Sequence, residues 1–467
     1  MAKKKPAQAK HTQLVSEKIL GTATILLVFL HMFSSFSRHF FSPENMIYHS
    51  RTMTVMLTID KWLGLVIVLG FLSYLLFTRM FYPETWYRIR NAFKRCFCKE
   101  LAVLLALFVY FILVCVIHST KYTNVFKLKD LWLFDFMISC MILLPMASLI
   151  GYKNMKKIID LLLHGIMLLS TGFILWALWN LFHLNIVTLP NGLQLGMTDD
   201  YRFYAAVNAN IGAGIGMTMV MIALYMALTH RGIIRIIYSI CVFPHLYATL
   251  LTGSRGHYVA LFISLTLLSF MIVWNITARQ KKVRRIAFSC AAALLTAGIM
   301  LWLYKGVFTI FESITHLGEY MNIDPTPRAI DKETGRMYVW TAAIRLMVSS
   351  PGVFFFGLPF DQIPMALDGT GWFAHAHNMI LQMGLVTGVP GMIAFLAFLV
   401  MMAVRSIKVG IGKKTAEYPG IYVIPIAVLA MVIANMFEPF LLFYFSIMGC
   451  VFFLFCGLII AIDRGVE

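Results

Sequence analysis

The sequence predicts an all-α polytopic membrane protein with about twelve transmembrane helices. Three observations carry that expectation. The 467 residues are 60% hydrophobic and only 13% charged, with a mean hydropathy of +0.80. A soluble domain is about 45–50% apolar and about 25% charged. Apolar runs long enough to cross a bilayer as helices recur along the chain. The Lys and Arg residues also collect in alternate loops, as orientation in a membrane requires.

Taken in order, the predicted spans are 20–37, 62–78, 101–118, 131–150, 158–178, 207–228, 233–251, 256–276, 286–304, 389–404, 420–437 and 441–462. The tail before the first span carries five lysines, and no small-residue cleavage pattern follows that span. With the N-terminus placed in the cytoplasm, 26 of the 39 Lys and Arg fall on the cytoplasmic side. The other side includes the longest loop yet holds only the remaining 13. The formal charge of +18 therefore reads as a topology signal with some attraction to anionic lipid, and no nucleic-acid partner is expected. Both termini then lie in the cytoplasm. No composition shift marks off a soluble domain, so residues 1–467 read as one integral membrane domain.

The interval Lys305–Thr387, or 305–388 with its closing glycine, is the one loop with room for a site. It separates spans nine and ten and faces outward. The outer face also carries the loop 180–206, the turn Thr252-Gly253-Ser254-Arg255-Gly256 and Glu438-Pro439. The eight cysteines all lie outside that interval, which excludes a disulfide framework there, and their spacing fits no zinc pattern.

Six positions on this face bear on chemistry. Arg255 sits in a tight turn, where a cation at membrane depth is costly unless paired. It suits an anionic partner, and it equally suits an interfacial arginine reaching lipid headgroups. Arg336 opens a predicted amphipathic helix capped by Thr334. Met337, Trp340, Ile344 and Met347 share one face of it, and Ser349-Ser350-Pro351-Gly352 ends it. A solvated first-turn arginine is the plainer account of Arg336. His377 stands just before a short apolar helix that Asn378 caps, Gly388 ends and Pro390 follows. The helix dipole favours the neutral ring there, the form that accepts a proton. A histidine packed at the interface is the alternative. His375 and His377 form a His-x-His pair, but no third metal ligand stands at useful spacing. Arg202 has Asp199 and Asp200 beside it and either pairs with them or binds a headgroup. Glu438 is placed to orient an arginine or a histidine. Phosphate loops, kinase signatures and a nucleophile elbow are absent. Two arginines and a histidine on one membrane face suit a lipid phosphate or diphosphate.

His377-Asn378, nine residues, then Gly388-x-x-Gly391 resembles the pattern of O-antigen ligases. Ser254-Arg255-Gly256, Gly335-Arg336 with Trp340, and the large loop between spans nine and ten are similar to that family too. Tyr201-Arg202-Phe203-Tyr204 matches only loosely. O-antigen polymerases and protein oligosaccharyltransferases share looser forms of these motifs. The resemblance implies a GT-C-like, metal-independent, inverting glycosyltransferase of the bacterial inner membrane with its site in a periplasmic loop. The donor would be a glycan on undecaprenyl diphosphate, the acceptor a sugar hydroxyl of lipid A–core in lipopolysaccharide biosynthesis, and no cofactor would be needed. Arg255 and Arg336 would hold the diphosphate, and His377 would act as base. Arg202, His375, Asn378, Trp340 and Glu438 would bind substrate. A lipid or polysaccharide transporter is the reading from a different class. It calls for polar groups near the bilayer midplane, whereas these crowd the outer face.

Overall fold

The computed structural model describes residues 69–70, 73–121, 128–183, 187–188, 194–197, 203–204, 209–315, 336–368, 375–412, 420–439, 441 and 447–465. The first predicted span and most of the second lie outside these, as do Arg202 and Thr334. The helices are α1 (Pro83–Cys96), α2 (Lys99–Lys121), α3 (Leu128–Ile150), α4 (Tyr152–Phe182), α5 (Ala209–Thr229), α6 (Ile233–Leu251), α7 (Arg255–Ile276) and α8 (Lys282–Thr315). They continue with α9 (Arg336–Met347), α10 (Pro351–Phe356), α11 (Ile363–Asp368), α12 (Met379–Ile411), α13 (Val423–Asn435) and α14 (Ile447–Arg464). Among the described residues, seven helices are long and apolar enough to cross a membrane: α2, α4, α5, α6, α7, α8 and α12. The protein is a multi-pass membrane protein. Between α4 and α5, three short strands, Val187–Thr188, Gln194–Met197 and Phe203–Tyr204, pair antiparallel in chain order.

Without a hydrophobic drive between helices in lipid, close packing decides which helices meet. α5 lies at the centre because its small residues let neighbours in. A Cβ on Gly216 would stand 2.3 Å from Thr249 Oγ1 of α6, and one on Gly214 would strike Met448 of α14. α13 packs between α5, α7 and α12, and α14 lies along α3. α8 stays at the periphery, with Leu294 and Leu295 exposed as a lipid-facing helix requires.

One ion-pair cluster ties α2, α12 and α14 at one end of the bundle. Arg405 Nε and Nη2 donate to the two oxygens of Glu100, each at 2.8 Å, a bidentate pair. Arg405 Nη1 also donates to Asp463, and Lys408 Nζ lies 3.0 Å from the same carboxylate. The candidate site stands at the opposite end of α12.

The sequence reading placed span ten at 389–404, after a separate short helix. The structure keeps that division: within α12 the short helix and the longer one meet at a break where Gly388 leaves helical geometry at φ 75°, ψ 174°. That conformation is open essentially to glycine alone. A Cβ there would also lie 2.4 Å from the Phe355 carbonyl carbon and oxygen. α10 is therefore seated against the bend, and the Leu358 amide adds a 2.6 Å bond to the Leu385 carbonyl. Gly388→Ala should lower the melting temperature in detergent sharply, because the conformational cost of about 1–3 kcal/mol adds to a backbone clash. A melt equal to that of the wild type would show that the bend yields without cost.

Candidate active site around Glu438

Three segments meet at this end of the bundle: the turn after α13, the segment entering α12 and the start of α9. Glu438 follows the end of α13. Its side chain is 4% exposed. The Asn435 side chain, at the end of α13, accepts from the Leu441 amide at 2.9 Å and shapes the turn that carries the carboxylate.

A buried carboxylate must have partners, and this one has four. His375 Nε2 stands 3.1 Å from Oε1, and His377 Nδ1 stands 3.0 Å from Oε2. Asn210 Nδ2 donates to Oε2 at 3.2 Å, and Arg336 Nη2 lies 4.0 Å away. Burial alone raises a carboxyl; the hydrogen bonds and charges of His375 and His377 outweigh it and hold Glu438 well below the ordinary carboxylate range.

This geometry sets both imidazole tautomers. An ionised carboxylate only accepts. His377 Nδ1 therefore carries a proton, and in the neutral ring the lone pair falls on Nε2. His375 donates from Nε2, while its Nδ1 accepts from the His377 amide at 3.1 Å. The rings lie 4.1 Å apart between centroids. His377 itself takes φ 48°, in the left-handed region, at a cost of about 1–3 kcal/mol that is characteristic of functional sites. Its side chain remains 23% exposed, so the ring is oriented by a buried group and still open to a ligand.

The entry to α12 holds this loop in place. Asn378 Oδ1 accepts from the Ile380 and Leu381 amides at 2.9 and 3.1 Å, the cap expected from sequence. Its Nδ2 donates to the Met436 carbonyl at 3.1 Å, so the Asn378 side chain links the α12 cap to the α13 turn. Buried Gln382 Oε1 accepts from the Ala376 amide at 2.8 Å. Sequence reasoning passed over Gln382, Asn435 and Asn210. The available signal was a polar amide inside an otherwise apolar helix, where such groups are costly unless they have a task.

Arg336 and Arg255 bring positive charge. Burial pushes the Arg336 guanidinium down, Glu438 pushes it back up, and Arg255 lowers it again. The two arginines therefore act on each other, although they stand 81 residues apart in sequence. Arg255 is the first residue of α7, not part of the preceding turn, and follows Ser254, whose Oγ pairs with His257 Nδ1 at 2.8 Å. Gly256 permits this approach, since a Cβ there would strike the Phe437 ring, which Arg336 faces at 6.0 Å.

α9 packs on the bundle through a stripe that sequence reasoning did not name. Val339, Ala343 and Met347 are buried, while Met337 and Ile344 are exposed. The buried stripe runs at four-residue spacing toward α12, where Met347 meets Gly384. The larger apolar residues instead face outward, as suits a helix whose surroundings include lipid. Trp340 Nε1 is a buried donor with no acceptor among the described residues. A cavity of about 620 Å³ lies along the outward face of α9, lined by Tyr338, Thr341 and Arg345, and stops short of His377.

His375, His377 and Glu438 also form a three-ligand metal set, their donor atoms within 4.8 Å of one another. Glu438 supplies the third ligand that sequence spacing did not reveal. His375 Nε2 and His377 Nδ1 are the atoms already hydrogen-bonded to the carboxylate, so an ion there would have to displace both bonds.

Residues 240–396 match the family model described as O-antigen ligase. Over that stretch, about a third of its length, the chain is similar to O-antigen ligases. A search of curated proteins returns no match. The O-antigen ligase stretch contains Arg255, Arg336, Trp340, His375, His377 and Asn378, whereas Glu438 lies beyond it.

Glu438→Ala should cost about 3–5 kcal/mol of stability, because it strands buried donors and a cation. Thermal melts in detergent check this. Removing His375 as well should add less than its single effect, since its main acceptor is already gone. Equal and additive losses would contradict a shared network.

Proposed function

We propose that the protein is an O-antigen ligase that transfers a glycan from undecaprenyl diphosphate to a sugar hydroxyl of lipid A–core. The observation that carries the reading is the 3.0 Å bond between His377 Nδ1 and buried Glu438, with the Arg336 guanidinium beside it. A carboxylate-oriented imidazole suits a general base, and a guanidinium suits a diphosphate.

In this mechanism His377 Nε2 takes the proton of the acceptor hydroxyl. That oxygen bonds to the anomeric carbon from the face opposite the diphosphate, and the bond from the anomeric carbon to the diphosphate oxygen breaks. The anomeric centre inverts. Arg255 and Arg336 stabilise the charge that develops on the leaving diphosphate. The indole N–H of Trp340, which has no acceptor among the described residues, adds a donor for a phosphate or sugar oxygen. His375 and Glu438 position His377, and Arg202 is a further candidate for the donor headgroup. The diphosphate linkage supplies the driving force, so neither a nucleotide nor a metal is required. Residues 305–388 serve as the catalytic loop, in the periplasm, with the bundle in the inner membrane and both termini cytoplasmic.

Purified protein given lipid-linked glycan and lipid A–core should yield the joined product. His377→Gln should lower turnover by about 100-fold or more while donor binding persists. Arg336→Ala should weaken donor binding as well as turnover. In cells, loss of the gene should leave bare lipid A–core with lipid-linked polymer accumulating. Core carrying a single repeat unit would instead favour a polymerase, and folded wild-type protein without transfer would favour a transporter.

A further inference from the structure

At the opposite end of the bundle from Glu438, α1 forms one wall of a second cavity. α1 is amphipathic, starting at Pro83 and carrying Lys94 and Arg95 in its last turn. It lies across α3 and α14, and Cys96 Sγ donates to the Ser148 carbonyl at 2.8 Å. That contact places the end of α1 by the inner end of α3. The stretch 78–99 contains six Lys and Arg against one acid, Glu84.

The cavity between α1, α2 and α3 measures about 510 Å³. This lies within the range of about 300–1,000 Å³ typical of ligand pockets. Leu104, Phe108, Met141 and Pro145 make its walls almost wholly apolar, and Arg90 stands at the rim with Trp86. Arg90, Lys94 and Arg95 are exposed. None of the three is paired with a carboxylate among the described residues. Tyr87 and Phe97 are exposed large aromatics at the same level, as at a membrane–water boundary.

We infer that this cavity is a binding site for an anionic phospholipid of the inner leaflet, its acyl chain in the apolar pocket and its phosphate at Arg90 and Lys94. The two halves fit one occupant. An apolar chain satisfies the walls, a negative headgroup satisfies cations with no carboxylate partner among the described residues, and basic amphipathic helices attract anionic lipid. A free phosphate or a neutral lipid each satisfies only half of the site. The site is separate from the histidine and arginine cluster and does not depend on the glycan reading.

The test reconstitutes full-length protein in nanodiscs of equal phosphatidylglycerol and phosphatidylcholine, then measures the lipids retained after detergent extraction by mass spectrometry. Wild type should retain phosphatidylglycerol in preference by about fivefold or more. The surface variant R90E/K94E should lose that preference with its melting temperature unchanged. Leu105→Trp, which fills the cavity and leaves the charges, should reduce retention of both lipids. Equal retention of the two lipids by wild type would overturn the inference. So would a preference that survives in R90E/K94E, or retention unaffected by Leu105→Trp.

Discussion

The constraint that organises this protein's functional end is one buried carboxylate. A charge this far from water persists only if it is well partnered, and Glu438 draws its partners from three different segments. Satisfying it fixes where α5, α9, α13 and the loop before α12 stand relative to one another. It also fixes which nitrogen of each histidine carries a proton. Stability and chemistry are thus joined: the network that holds the loop is the one that orients the His377 ring through Nδ1.

The rest of the bundle works as a frame for this arrangement. α12 begins at the Asn378 cap beside the histidines and runs to the Arg405 cluster at the other end, with the Gly388 bend between them. Arg405 joins α12 to α2 and α14, so its far end is held as firmly as its near end. Small residues on α5 and the bend in α12 let neighbouring helices approach closely. Both ends of the bundle are pinned by charge, while its middle is held by packing. That distribution suits a site exposed at one membrane face rather than a path through the membrane.

Much of this was legible in the sequence. Hydropathy and loop charge marked the helices because a bilayer imposes length and apolarity on every span. The Asn378 cap and the Gly388 bend were readable because each follows from local backbone chemistry. Glu438 was visible only as a carboxylate on the right face. Its partnership with His377, 61 residues earlier, depends on how α12 and α13 pack, which no local pattern encodes. The protein-facing stripe of α9, Val339, Ala343 and Met347, was not legible for a related reason. Periodicity marks which residues share a stripe but not whether lipid or protein lies against it, and in a membrane the larger apolar side chains can face outward. The strands between α4 and α5 are too short to leave a periodic signal.

The most direct test of this account is a double-mutant cycle between Glu438 and His377 read in the glycan-transfer rate. Rates are measured for Glu438→Gln, His377→Gln and the double variant, each confirmed folded by its melt. If Glu438 acts by orienting His377, the double variant should be no slower than His377→Gln alone. Losses that multiply in the double variant would mean that the carboxylate and the imidazole act independently, and the coupled pair would have to be abandoned.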